Sequence, residues 1–207
     1  MAHNVTLGRD GGKPGADDRV ASKPARQSTS CMNTDRAGRL GLTALLAIYG
    51  FRMLSHPETG WLIDSVDLPI HETGHLVFAA FGEVIQFAGG TLFQLIVPAV
   101  FTGYFVKRGD RHAAFTCLWW VGQNFWNISV YVADARSELL PLVGGGEHDW
   151  AFLLGRFGLL KQDQRIAHDV WFLGVMLYVV AIGGAVLAAL NAPAASATKL
   201  VASTETD

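Results

Sequence analysis

Apolar positions along this chain gather into runs of helical length separated by short polar turns. Residues 1–38 stand outside that pattern. They are rich in Gly, Ser, Asp, Arg and Lys, carry Pro14 and Pro24, and read as a disordered polar tail. No apolar stretch follows the first few residues, so the tail does not read as a secretory signal. Leu40 to about Leu54 is an apolar run broken by Arg52, and Arg39 and Arg52 can snorkel from it toward opposite interfaces. Pro57 and Gly60 mark a turn. Trp61 to about Phe81 is long enough to cross a bilayer and encloses Asp64, Asp67, His71, Glu72 and His75. Gly82 to Gly90 reads as a short extended connector. Thr91 to about Val106, interrupted by Gln94, Pro98 and Gly103, is either a kinked span or a helical hairpin that does not fully cross. After the polar turn at 107–111, His112 to about Ala133 is rich in aromatics, with Gln123, Asn124 and Asn127 at its centre. Residues 134–169 are mixed: Asp134, the glycines at 144–146, His148 and Asp149 precede a short amphipathic piece to Leu160. Val170 to about Leu190 is an uninterrupted run, and its Gly174, Gly183 and Gly184, like Gly103 earlier, are expected at close helix contacts.

The elements add up to an all-α, polytopic membrane bundle of about five spans over residues 39–190, between the polar tail and a flexible C-terminal tail at 191–207. Composition agrees: the chain is 50% hydrophobic and only 16% charged, which suits a lipid bilayer better than water. The net charge of −2, without a basic, aromatic-interleaved patch, gives no sign of a nucleic-acid partner. Cys31 and Cys117 fall in unlike contexts and make neither a disulfide framework nor a cysteine metal site. Lys and Arg concentrate in the N-terminal tail and in 134–169, against Lys107, Arg108, Arg111 and Lys199 on the other side of five spans. That bias puts the N-terminus in the cytoplasm.

The chemistry concentrates in Pro69-Ile70-His71-Glu72-Thr73-Gly74-His75, a His-Glu-x-x-His pattern inside an apolar run. Residues four apart share a helix face, so His71 and His75 can point two imidazoles at one metal, with zinc the usual choice. Glu72 then lies where a carboxylate can take a proton from water activated at the metal and pass it to a leaving amine. Pro69 suits a first helical turn, and a helix starting with Asp67 as its N-cap would set the motif nearer the interface. Asn124 and Asn127 share a face, turned either to neighbouring helices or to the metal cavity. Two other classes remain open. One is a non-proteolytic membrane protein holding metal for structure or transport, which a second histidine such as His112 or His148 would favour. The other is a metal-free scaffold in which His71 and His75 bond to Asp64, Asp67 or backbone carbonyls.

His71-Glu72-Thr73-Gly74-His75 within an apolar helix, Phe81-Gly82-Glu83 and the Gly89-Gly90 pair together resemble the membrane-embedded zinc metallopeptidases of the site-2 protease superfamily, in its small bacterial, peptidase-like membrane branch. The resemblance covers roughly residues 61–160. It implies a bacterial cell-membrane zinc protease that hydrolyses a peptide bond of a transmembrane substrate in or beside the bilayer, with the scissile segment unwound first. It implies zinc held by His71, His75 and a later aspartate, with Glu72 as general base. It also implies an upstream asparagine, Asn124 or Asn127, contacting the substrate backbone. The family's aspartate sits in Leu-Asp-Gly, which this chain lacks. Asn127 to Asp134 reproduces the asparagine-to-aspartate spacing, with Ala135 where glycine is expected. Pro141 through Asp149, continuing into Leu153 and Leu154, is similar to the approach and sequel of the family's aspartate. If every run from 61 to 133 crosses, His75 and Asp134 end about 10 Å apart along the bilayer normal, at 1.5 Å per residue. A glycine run that folds residues 148–149 back into the protein asks less of the sequence. Asp149 therefore ranks ahead of Asp134 and His148 as the third ligand.

Overall fold

A computed structural model describes Met1 and residues 25–57, 60–141 and 146–192, with side chains from Thr34 onward. The remainder of both expected tails, and most of the glycine run, lie outside the described residues. The described chain is all-helical: α1 (Ala25–Ser55), α2 (Asp64–Phe78), α3 (Glu83–Lys107), α4 (Arg111–Ala133), α5 (Asp149–Arg156) and α6 (Asp163–Leu190). From Thr34 these helices belong to one compact unit. Two stretches, Glu83–Lys107 and Leu160–Leu190, are long and apolar enough to cross a membrane.

Three local expectations are corrected. Helix α1 begins at Ala25, well inside the stretch expected to be a polar tail. No proline follows Pro24 until Pro57, and the Ala, Arg, Gln and Met residues of this segment carry little helical penalty. Residues 83–90 are not an extended connector but the first turns of α3. Only Gly82, at φ 92°, breaks the helix. The Gly89-Gly90 pair serves close approach instead. A β-carbon on Gly89 would lie 2.8 Å from the Gly74 carbonyl oxygen, so α2 and α3 meet backbone to backbone. Finally, α2 starts at Asp64, which puts both Pro69 and Asp67 inside the helix rather than at its first turn and N-cap. Pro69 is exposed, and its missing N–H removes one rung on the outer face.

Helix α6 meets α4 along small residues. Ala181, Ala185 and Ala189 are buried. A β-carbon on Gly122 would lie 3.1 Å from the Gly174 oxygen, and one on Gly184 would strike the Phe115 ring. Gly183, one residue or about 100° around the helix, faces open space, as does Gly103 on α3. Those two glycines are not at close contacts. Helix α1 leans on this pair through Gly50, whose β-carbon would sit 2.6 Å from the Tyr178 ring, while Tyr178 donates to the Ala47 carbonyl at 2.7 Å. Where α4, α5 and α6 meet, Ile128, Val132, Ala135, Leu154 and Ala167 form an apolar cluster. This cluster seats the short helix α5 against the bundle.

Candidate metal centre

Three side chains from two helices converge. His71 and His75, one turn apart on α2, turn their Nε2 atoms to Oδ2 of Asp149, the first residue of α5, at 3.0 and 3.2 Å. One ligand atom from each residue lies within 4.8 Å of the others. Two donors each about 2.0–2.1 Å from a tetrahedral zinc are about 3.3 Å apart, so these nitrogen–oxygen separations suit a shared ion. The donor set of two imidazoles and one carboxylate suits it too. This group could hold a metal ion.

Each imidazole is steered from its far side. His75 Nδ1 donates to the Gln86 carbonyl at 2.8 Å, and His71 Nδ1 bonds to Gln94 Oε1 at 3.1 Å. Protons on both Nδ1 atoms leave both Nε2 lone pairs free, the usual support for metal-binding histidines. Glycines admit the ring, since a β-carbon on Gly90 would collide with His71. Burial raises the Asp149 carboxyl, but its polar contacts with the His71 and His75 imidazoles outweigh it and hold the group below its ordinary 3.8. The Asp149 N–H reaches the Tyr131 hydroxyl at 3.3 Å, and the Tyr131 ring stands edge-on to His71.

The other expected residues lie elsewhere in the site or outside it. Glu72 is half-buried and lines a cavity of about 720 Å³ together with His71, His75, Asp149, Asn127 and Tyr131. Asn124 does not line it; fully buried, it donates to the Trp120 carbonyl at 2.9 Å. Asp134 turns away from the group. Its carboxylate accepts from Ser137 Oγ at 2.7 Å and from the Leu139 and Leu140 N–H groups at 3.0 and 2.9 Å. His148 is fully buried and is itself the N-cap of α5, accepting from the Ala151 N–H at 3.2 Å. Its Nε2 lies 3.6 Å from Asp134, not at the metal group. Asp149 is therefore not the cap of α5 but the residue after it. His112 sits at the α1–α4 contact, 3.0 Å from Thr43 Oγ1. The carboxylates offered as metal-free partners are engaged elsewhere, Asp67 accepting from Trp120 Nε1 at 2.8 Å.

Sequence reasoning passes over Gln94 and Tyr131. In the sequence Gln94 is only an interruption of an apolar run. A lone carboxamide in such a run is costly unless bonded, which is the signal that finds it. Tyr131 gives no sequence signal among so many aromatics. Compared with known proteins, the chain matches no family model, no curated protein and no solved structure.

Proposed function

We propose that this chain is a membrane-embedded zinc metallopeptidase that hydrolyses a peptide bond of a transmembrane protein in or beside the bilayer. The observation that carries the proposal is the convergence of His71 Nε2, His75 Nε2 and Asp149 Oδ2 on a cavity that Glu72 also lines. When bound there, zinc supplies a Lewis acid that polarises a carbonyl and acidifies water. The Glu72 carboxylate takes the proton from the attacking water and returns it to the leaving amine. The cavity has room for an extended segment of substrate backbone. A closed, structural metal site would need a fourth protein donor. His148 and His112, the two histidines that would favour it, are committed to Ala151 and to the α1–α4 contact.

The membrane setting is supported by an inverted distribution of residues. Large apolar side chains lie on the outside, among them Leu45, Ile48 and Phe51 of α1, Val100 and Phe101 of α3, and Phe172 of α6. The inside holds Asp67, Gln123 and Asn124 at 0–1% exposure. Water would penalise that outer surface, whereas lipid tails accept it. On this reading α3 and α6 cross, α1, α2 and α4 complete about five spans, and loop charge keeps the N-terminus cytoplasmic in a bacterial membrane.

Glu72→Gln tests the proposal, because it preserves size and hydrogen bonding but removes the proton acceptor. The variant should copurify with as much zinc as the wild type and cleave a transmembrane peptide substrate at least about 10²-fold more slowly. Undiminished cleavage by Glu72→Gln would sink the metallopeptidase reading.

A further inference from the structure

Four side chains from three helices form one unbroken hydrogen-bond chain that ends on a histidine of the metal centre. Asp64 of α2 accepts the Trp61 N–H on Oδ2 at 2.8 Å. Its Oδ1 accepts from Asn127 Nδ2 of α4 at 3.2 Å. Asn127 Oδ1 accepts in turn from Gln94 Nε2 of α3 at 2.9 Å. Gln94 Oε1 then meets His71 Nδ1 at 3.1 Å. Two carboxamides thus stand in series between a carboxylate and an imidazole.

Such a chain has one self-consistent direction. A carboxylate can only accept, so Asp64 obliges Asn127 to turn its NH₂ that way and its oxygen toward Gln94. Gln94 must then use its NH₂ on Asn127 and face His71 with its oxygen. An oxygen opposite Nδ1 calls for an N–H there, which leaves the Nε2 lone pair of neutral His71 pointing at the metal position. The geometry points to Asp64 as the positioning residue that sets the tautomer and ring orientation of His71 through Asn127 and Gln94. This rests on the reading of His71 as a metal ligand. Asn127 engages its oxygen and one Nδ2 hydrogen in the chain and so acts as a link in it.

The chain can be reversed on purpose. Asp64→Asn removes the acceptor-only end, so both carboxamides can turn round and His71 can hold its proton on Nε2. Gln94→Glu alone traps Asn127 between two carboxylates, one of which must face its oxygen. Both substitutions together restore a matched order running the other way: the new carboxylate accepts from His71 and Asn127, and the new carboxamide donates to Asn127. No hydrogen bond joins positions 64 and 94 directly, so their coupling passes through Asn127 and through repulsion between the two carboxylates, and the His71 tautomer is the readout that repulsion alone does not move.

The experiment uses the full chain, purified in detergent, as wild type, two single variants and the double variant. It reads the thermal midpoint of the metal-stripped protein and zinc affinity by competition with a chromophoric chelator. Asp64→Asn should weaken zinc binding about tenfold, as loss of an outer-shell partner does. Gln94→Glu should lower the metal-free midpoint, and the double variant should regain both properties. A Gln94→Glu chain that folds only when Asp64→Asn is added counts as the same coupling. Because the Asp149 carboxylate also faces His71 Nε2 at 3.0 Å, the tautomer is read in metal-stripped, ¹⁵N-histidine-labelled Asp149→Ala protein, which should show His71 protonated on Nδ1, and mixed once Asp64→Asn is added. Midpoint changes that merely add in the double variant overturn the proposal, as does a His71 tautomer indifferent to Asp64→Asn. Coupled midpoints with no zinc bound by any chain, wild type included, would uphold the relay and remove the metal reading.

Discussion

Replacing Gly90 by alanine puts a methyl group where the His71 ring now lies. The β-carbon would come within 2.6 Å of ring atoms Cδ2 and Cε1. Carbon contacts are comfortable at about 3.5–4.0 Å, so the ring or the helix must give by about 1 Å. Neither has room. The ring is held on one side by Gln94 at 3.1 Å and on the other by Asp149 at 3.0 Å. The backbones of α2 and α3 already touch at Gly74 and Gly89. A shift of that size breaks at least one of the two ring bonds, and a hydrogen bond to a charged group is worth about 1.5–3 kcal/mol. Against this stands the helix preference for alanine over glycine, about 1 kcal/mol. The net expectation is a metal-free protein destabilised by about 1–2 kcal/mol, together with zinc affinity down about tenfold or more. Gly103→Ala on the same helix is the control, because nothing lies within 4 Å of its would-be β-carbon. There the helix preference acts alone, and stability should rise by up to about 1 kcal/mol with zinc unchanged. Unfolding curves in detergent and chelator competition read both variants. A Gly90→Ala protein that is as stable as Gly103→Ala and keeps its zinc would refute the packing argument for His71.

The ligand set has a sharp signature: wild type should carry about one zinc per chain, lost from His71→Ala, His75→Ala and Asp149→Ala but kept by Asp134→Ala. Metal analysis that finds zinc missing from Asp134→Ala and present in Asp149→Ala would exchange their roles. Asp134 instead predicts a pH effect. Burial raises its carboxyl, but the Leu140 and Leu139 N–H groups and Ser137 bring it below the ordinary 3.8. A folded-state value below the unfolded one stabilises fully above the unfolded value and is lost as pH falls through the folded one. Asp134→Asn should therefore lower stability at neutral pH and shrink the loss seen on acidification below about pH 4; an acid limb identical to wild type would discard this account of the turn.

How far the sequence goes depends on whether a feature is local. His71 and His75 are legible because a four-residue spacing fixes a helix face whatever surrounds it. The all-helical class is legible for the same reason, from runs of apolar residues. The extended connector expected at 82–90 fails because paired glycines have two meanings: a permissive backbone in a turn, or a bare surface where helices touch. Only the position of Gly74 across from Gly89 decides between them. Gly183 and Gly184 show the same limit, as adjacent residues of which one meets Phe115 and the other meets nothing. Asp149, Asp134 and His148 are all chemically acceptable ligands in one short stretch. Their separation comes from the cap of α5: once His148 takes the Ala151 N–H, the next residue is aimed at α2. Gln94 has no local mark at all beyond its polarity, since its role exists only through the packing of α3 between α2 and α4.

The polar interior and the apolar exterior are parts of one requirement. In water, Asn127 and Gln94 could each trade partners with solvent, and a carboxylate three hydrogen bonds removed from an imidazole would impose nothing on it. Within the bundle the competing donors are few, so each carboxamide that fixes its own orientation fixes its neighbour's. The same surroundings make every unbonded polar atom costly, which is why Asp64 spends both oxygens and why Asn127 and Gln94 each engage both ends. A chain with so many polar groups inside has little apolar surface left to bury by helix contact, and glycine and alanine seams such as Gly122–Gly174 and Ala181–Ala189 bury less still. Its large hydrophobic residues are left on the outside, at Leu45, Phe51, Val100 and Phe172. On the membrane reading proposed above, lipid tails make that exterior favourable, while Asp64, Asn127 and Gln94 hold one another beside the cavity and so direct His71.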